Sequence, residues 1–279
     1  MPKYPSGVLH GDSLRALYQD AKQHQFALPA VNTIGHSSIN ATLETAARVK
    51  SPVIVQFSNG GAQFIAGKAM PNDQLQANIV GAISGALHVH QVAKYYGVPV
   101  VLHTDHASKK WLPWISALLD AGEQYHRERG QPLFSSHMLD LSEEPIEENI
   151  HESVTYFKRM QPLGMSIEIE LGVTGGEEDG VDNSDVENSK LYTQPAEVAY
   201  AYEKLLAVGD LFTVAAAFGN VHGVYKPGNV ELRPDILHNS QLHIQDKFKT
   251  AEKPVYFVFH GGSGSPQNQI REAIGYGAI

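Results

Sequence analysis

The chain has 279 residues, 42% of them hydrophobic, with no cysteine and a formal charge of −9. Disulfides, thiolate metal sites and cysteine nucleophiles are therefore excluded, and no run of eighteen apolar residues is present to cross a membrane as a helix. The acidic balance and the lack of a basic stripe exclude nucleic acid as a bulk partner, so any anionic ligand must be held by local devices such as a metal ion or convergent backbone N–H groups.

The opening MPKYPSGVLHGDSL carries no apolar core of signal-peptide length and no small-residue cleavage pattern, so a cytoplasmic location is expected. A helix is predicted over 11–25, with Asp12 or Ser13 as its cap and Leu14, Leu17 and Ala21 on one face. A strand at 26–31 follows, ending in Asn32, then a helix at 37–49 and a strand at 53–57 that runs into SNGG. A helix over 79–96, stopped by Gly97, leads into VPVVLHTDH at 98–106. Beyond it the pattern predicts helix 111–121, strand 133–140, helix 145–160, strand 166–170, helix 195–208, strand 211–218, helix 233–246, strand 254–260 and helix 265–276. Seven strands result, each followed by a helix.

That alternation, without a composition break or long linker, points to one α/β domain over 1–279 with a parallel sheet. A (β/α)8 TIM barrel is preferred to an open doubly wound sheet because of SIEIELG. Ser166, Glu168 and Glu170 share one face of that strand, and Ile167, Ile169 and Leu171 the other. An open sheet covered on both faces would bury the carboxylates against apolar side chains, at a cost of several kcal/mol each. A barrel strand can turn them toward an interior that opens on the active site.

The strand endings carry the chemistry. In VPVVLHTDH an apolar, β-branched run delivers His103, Asp105 and His106 to its C-terminal end, with His103 and Asp105 on one face if the strand persists that far. The other endings are Asn32, Ser58, Asp140, Glu170 and His260, with His222 in the loop after the sixth strand. In a barrel these converge on one rim. His106, His222 and His260 could form a three-histidine site with a position open for substrate, as in catalytic zinc centres. Asp140 and Glu170 either hold a second or displaced ion or orient the histidines as hydrogen-bond acceptors; the residues leave both open. After His260, GGSGSP places Ser265 and Pro266 at positions suited to N-cap and N1 of a helix, a pocket of backbone N–H groups that favours phosphate. SNGG is a lesser candidate of the same kind. The acidic stretch 171–188 reads as a solvated loop, or as a hinged lid bringing Glu177 or Glu178 over the site as a base.

These residues resemble a known family. HTDH from His103, SSHMLDLSEE from Ser135, EIELGVTGGEEDGVDN from Glu168, GNVHGVYKPGN from Gly219 and VFHGGSGS from Val258 are similar to the class II, metal-dependent fructose-1,6-bisphosphate aldolases, in the subgroup close to the enterobacterial glycolytic enzyme, and ALPAVN and VIVQFSNGGAQFIAGK add to the likeness. The resemblance runs from about Gly11 to the last residue. It implies reversible cleavage of fructose 1,6-bisphosphate to dihydroxyacetone phosphate and glyceraldehyde 3-phosphate through a zinc-stabilised enediolate. It also implies a homodimer in the cytoplasm, with a second divalent position and a monovalent cation as further ions.

Carried over by position, the resemblance makes His106, His222 and His260 the catalytic zinc ligands, and Asp140 and Glu170 ligands of the second metal position. Glu178 corresponds to the base that takes a proton from C3 of dihydroxyacetone phosphate, and Asp105 to the acid that protonates the aldehyde oxygen of glyceraldehyde 3-phosphate. Gly223, Gly261 and Ser263 match contacts to dihydroxyacetone phosphate, Ser58 the glyceraldehyde-phosphate side, and Asn32 a further pocket position. Zinc on neutral histidines supplies the electrophile this chemistry needs without a Schiff-base lysine.

Members of the family continue past the YGAI-like segment with a strand carrying NIDTD-type residues and a helical region with a phosphate-binding arginine, whereas this sequence stops at Ile279. The expectation is thus a barrel lacking its eighth strand and C-terminal helices, with strands one and seven as unpaired edges. The alternatives are a tagatose-bisphosphate aldolase, a non-catalytic zinc-binding fragment, and a metal-dependent hydrolase on the same barrel.

Overall fold

The computed structural model describes residues 3–173, 175–178, 181–182, 191–222, 231–262 and 264–279, with backbone alone for 175–178, 181–182 and 222. Two compact units divide the chain. The first comprises Met1–Leu17, Leu28–Leu139 and Lys158–Ile167, and the second Tyr18–Ala27, Asp140–Phe157 and Glu168–Ile279.

The first unit grows from β-branched runs that form buried parallel strands. In chain order its elements are β1 (Gly7–Val8), α1 (Gly11–His24, whose later turns belong to the second unit), β2 (Ala30–Asn32), α2 (His36–Val49), β3 (Val53–Phe57), α3 (Asn59–Ala66), α4 (Gln76–Tyr96), β4 (Pro99–Thr104), α5 (Leu112–Arg129) and β5 (Ser136–Leu139). Strands β2, β3, β4 and β5 pair in that order, each parallel to the next, and β1 lies beside β4 with Gly7 opposite Pro99. Val55, Phe57, Val100 and Leu102 are fully buried. Helices α3 and α4 approach closely because of two glycines. A Cβ on Gly81 would stand 1.8 Å from the Ala62 carbonyl oxygen, and one on Gly85 would stand 3.1 Å from Ile65 Cδ1 of α3 and 2.8 Å from Phe57 Cζ of β3. Glycine inside a helix weakens it in isolation, so its place here follows from the packing.

The second unit contains most of α6 (Ile146–Met160), the end of β6 (Ser166–Leu171), β7 (Gly175–Glu178), β8 (Val181–Asp182), α7 (Pro195–Leu206), β9 (Phe212–Ala216), β10 (Val221–His222), α8 (Asp235–Phe248), β11 (Phe257–Val258) and α9 (Gln267–Gly275). Strand β9 lies between β6 and β11 and runs parallel to β11. Strand β6 is divided: Ser166 and Ile167 belong to the first unit, where the Ser166 N–H donates to the Ser135 carbonyl at 2.9 Å, and Glu168 onward to the second.

The seven strands expected to alternate with helices are β2, β3, β4, β5, β6, β9 and β11. Several boundaries differ for physical reasons. Helix α3, absent from the expected elements, begins within SNGG because the Ser58 hydroxyl caps it by accepting the Gly61 N–H at 3.1 Å. Helix α5 runs on through the buried Gly122 to Arg129 and ends at Gly130, which takes the left-handed conformation at φ +69°. The first of the expected strands, β2, is only Ala30–Asn32, and β4 ends at Thr104, so Asp105 is the first residue beyond it.

The acidic stretch read as a loop includes two short strands, β7 and β8, paired antiparallel, and β10 pairs parallel to β7. The expectation of an unpaired seventh strand is corrected. The Phe257 N–H donates to the Gly277 carbonyl at 2.9 Å, the Ile279 N–H donates to the Phe257 carbonyl at 3.0 Å, and Ala278 forms a parallel bridge with Phe257. Among the described residues β2 pairs with β3 alone, as expected of an edge.

Candidate functional site

In the first unit the candidate residues gather around the end of β4. The Asp105 N–H donates to the Phe57 carbonyl at 2.9 Å, which carries the β3–β4 ladder one residue past the strand. The Asp105 side chain is buried at 1% exposure, and Asn32 Nδ2 donates to its Oδ2 at 2.8 Å. Asn32, expected as a pocket residue, is therefore also the residue that orients Asp105. His106 is half-buried and offers a ring nitrogen within 4.8 Å of an Asp105 carboxylate oxygen. On the β5 flank, His103 Nδ1 lies 2.7 Å from Ser136 Oγ, and Thr104 Oγ1 lies 2.8 Å from His137 Nδ1, each pair hydrogen-bonded. Ser58 caps α3 through its oxygen, which leaves its hydroxyl proton available to donate.

In the second unit β6 delivers two carboxylates. Glu170 is 2% exposed, and one of its oxygens lies within 4.8 Å of an Asp140 oxygen. Two carboxylates so close repel unless a cation or a proton is shared. Asp140 also closes a tight turn, accepting from Ser142 Oγ at 2.7 Å and from the Ser142 N–H at 3.3 Å. Glu168, two residues before Glu170, was not singled out as a site residue. Its Oε1 lies 2.7 Å from His260 Nε2, and its Oε2 accepts from Thr213 Oγ1 at 3.4 Å. The signal was present in the period of two that puts Glu168 and Glu170 on one face. With Nε2 turned to Glu168, Nδ1 is the ring nitrogen that faces away from that carboxylate.

Backbone ties hold these endings in place. Asn149 Nδ2 donates to the Glu170 carbonyl at 2.9 Å, and Asn220 Nδ2 donates to the His260 carbonyl at 3.0 Å. The Thr193 hydroxyl donates to the Leu171 carbonyl and accepts the Ala217 N–H, joining the ends of β6 and β9.

The glycine-rich turn after β11 departs from expectation in its cap. Pro266 is the residue before α9 and Gln267 the first inside it, so Ser265 and Pro266 each stand one place earlier than read. The Ser265 N–H donates to the Gly262 carbonyl at 3.1 Å, and its Oγ is buried with no hydrogen-bond partner among the described residues. Gly261 has φ +65°, and a Cβ there would stand 2.5 Å from the Val221 carbonyl oxygen, so this turn fits against β10 only as glycine.

Five candidates lie partly or wholly outside the described residues. His222, Glu177 and Glu178 are described by backbone alone, in β10 and β7; Gly223 and Ser263 are not described. A cavity of about 430 Å³ in the second unit is lined by Glu143, Glu144 and Glu197 with Asn149, Tyr192 and Gln194. Three carboxylates suit it poorly to a phosphate.

The donor set consists of imidazoles and carboxylates without thiolate, which fits a borderline or hard divalent cation. The buried Glu170, its proximity to Asp140 and the Glu168-oriented His260 are the observations that support such a fit.

Comparisons with known proteins agree with this chemistry. A family model described as "Fructose-bisphosphate aldolase class-II" matches residues 12–279. The fructose-bisphosphate aldolase of Haemophilus influenzae is 61% identical over 274 residues, 98% of this chain and 76% of that protein. The fructose-bisphosphate aldolase class 2 of Escherichia coli (strain K12) is 60% identical with the same coverage. The crystal structure of a fructose-bisphosphate aldolase from Campylobacter jejuni matches with a TM-score of 0.87 at 57% identity, over 98% of this chain and 76% of that one.

Proposed function

The chain belongs to the class II fructose-bisphosphate aldolase family, and from that premise we propose that its buried carboxylates and histidines perform the aldol reaction on fructose 1,6-bisphosphate. The α/β barrel fold and the lyase activity follow from this membership. The residues assigned to each role, zinc as the metal, a homodimeric assembly, a monovalent cation, a cytoplasmic location and one domain over 1–279 are parts of the proposal.

His106, His222 and His260 hold the catalytic divalent cation in this reading, and Asp140 and Glu170 a second position. When bound, the cation polarises the ketone oxygen of the substrate. In the joining direction Glu178 takes a proton from C3 of dihydroxyacetone phosphate, C3 bonds to the aldehyde carbon of glyceraldehyde 3-phosphate, and Asp105 gives a proton to that aldehyde's oxygen. Cleavage reverses each step. The Asn32 amide aims Asp105 and stabilises the carboxylate left after it has given up its proton. The backbone turn at Gly261, with Gly223 and Ser263, receives the phosphate of dihydroxyacetone phosphate, and the Ser58 hydroxyl faces the other phosphorylated product.

What carries the reading is identity of about 60% to a fructose-bisphosphate aldolase across 98% of the chain. The test is cleavage of fructose 1,6-bisphosphate by the purified chain with and without a chelator. Chelator-sensitive cleavage is expected and is restored by added zinc. Zinc binding without cleavage, or cleavage indifferent to the chelator, would overturn it.

A further inference from the structure

His137 on β5 is fully buried and has no role in the chemistry above. Its ring lies against Phe134, centroids 5.0 Å apart. Its Nδ1 is bonded to Thr104 Oγ1, and its Nε2 is buried with no hydrogen-bond partner among the described residues. Burial first, and then the neighbouring His103, push its pKa down to about 3, so the ring is neutral. An apolar side chain would fill this place without leaving a ring nitrogen unsatisfied. The polar contact with Thr104 is what a histidine provides there and a leucine cannot.

That contact sits at a particular point of the strand pair. In the parallel register of β4 and β5, His103 stands opposite Ser136 and Thr104 opposite His137. Both opposite pairs are joined by side-chain hydrogen bonds, at 2.7 and 2.8 Å. Successive residues of a strand face opposite sides, so the two bonds clamp the last two residues of β4 from both faces. The next residue, Asp105, takes its backbone bond from the other flank, at Phe57.

We propose that His137 is a positioning residue for the reaction proposed above: its bond to Thr104 fixes the direction in which the chain leaves β4, and so the placing of Asp105 and His106. The inference rests on the aldolase reading for its activity readout, and on metal affinity for an independent one.

The test uses the full, zinc-loaded chain and five variants: Thr104→Val, Thr104→Ser, His137→Leu, His137→Asn and the Thr104→Val/His137→Leu double. Fructose 1,6-bisphosphate cleavage gives kcat and KM, competition with a chromogenic chelator gives the zinc dissociation constant, and circular dichroism checks the fold. Thr104→Val keeps the shape of the threonine, so it tests the bond even if His137→Leu does not fold. Thr104→Val and His137→Leu are each expected to lower kcat on the order of tenfold or more with KM changed far less, as displacement of an acid does, and to loosen zinc. Thr104→Ser and His137→Asn should recover most of the loss. The double variant should be no worse than the poorer single one, because both remove the same bond.

Folded Thr104→Val with the parent kcat and zinc affinity overturns the proposal, as do losses that Ser and Asn fail to recover or that add in the double variant. If the parent chain does not cleave fructose 1,6-bisphosphate, the aldolase reading fails by itself. Zinc affinity then decides the positioning role: looser in Thr104→Val and recovered in Thr104→Ser supports it, unchanged overturns it.

Discussion

Glu168 and His260 form the contact on which a single-residue prediction turns. A carboxylate 2.7 Å from Nε2 fixes the ring and raises the basicity of the opposite nitrogen. Glu168→Gln can still accept a hydrogen bond but loses the charge that favours this tautomer. The zinc dissociation constant is expected to rise roughly tenfold to a hundredfold, the usual effect of losing such a partner, measured by chelator competition on the folded variant. Unchanged affinity would show that the carboxylate serves packing alone. Asn32 and Asp105 make the parallel case in the first unit, where an amide rather than a charge aims the acid.

At the scale of elements, three histidines lie near one another at the start of α1, on α4 and on α5. His10, before α1, has its pKa lowered by burial and by His126 of α5; His90 of α4 has its pKa lowered by burial and by His10. His90 Nε2 is bonded to the Leu133 carbonyl at 3.0 Å, and its ring lies 5.1 Å from that of Tyr125. His10 and His90, whose pKa values are lowered in the folded chain, take up protons more readily once it unfolds. The contribution of these two is therefore complete above the ordinary histidine pKa of 6.5 and is lost as pH falls below it.

The midpoint of urea unfolding should accordingly decline between pH 7.5 and 5, and His90→Gln, which can still donate to Leu133, should decline less steeply. Carboxylates and His137 add their own slope, so the difference between parent and variant is the measurement. Parallel curves would remove these histidines from the account.

Across the whole chain, the strand and helix alternation was legible because β-branched runs such as VIVQF and PVVL are buried on both faces and bounded by glycine stops such as Gly97. The strand endings were legible for the same reason, since a polar residue just past an apolar run marks the point where a buried strand emerges at its rim. The rest was hidden by context. SNGG has the composition of a turn, and only the Ser58 cap and the fit of Gly81 against Ala62 make it a helix. Acidic GGEE has poor strand propensity, and it is a strand because β10 pairs with it. Glu168 showed its face but not its partner, because His260 lies 92 positions away in sequence.

The glycine-mediated closeness of α3 and α4 reaches further than packing. Asn78 Nδ2 donates to both the carbonyl and the side-chain oxygen of Asn59, and Trp114 Nε1 donates to the Asn78 carbonyl at 3.1 Å, so α3 is fastened through α4 to α5. An eight-residue helix left to itself frays readily. Bound in this way, α3 should open only when α4 does. In deuterium-exchange mass spectrometry, peptides covering 59–66 are expected to retain protons on the same timescale as those covering 76–96. Full labelling of the shorter helix within seconds, while the longer one stays protected, would show that the two open separately and that the Ser58 hydroxyl stands on a mobile footing.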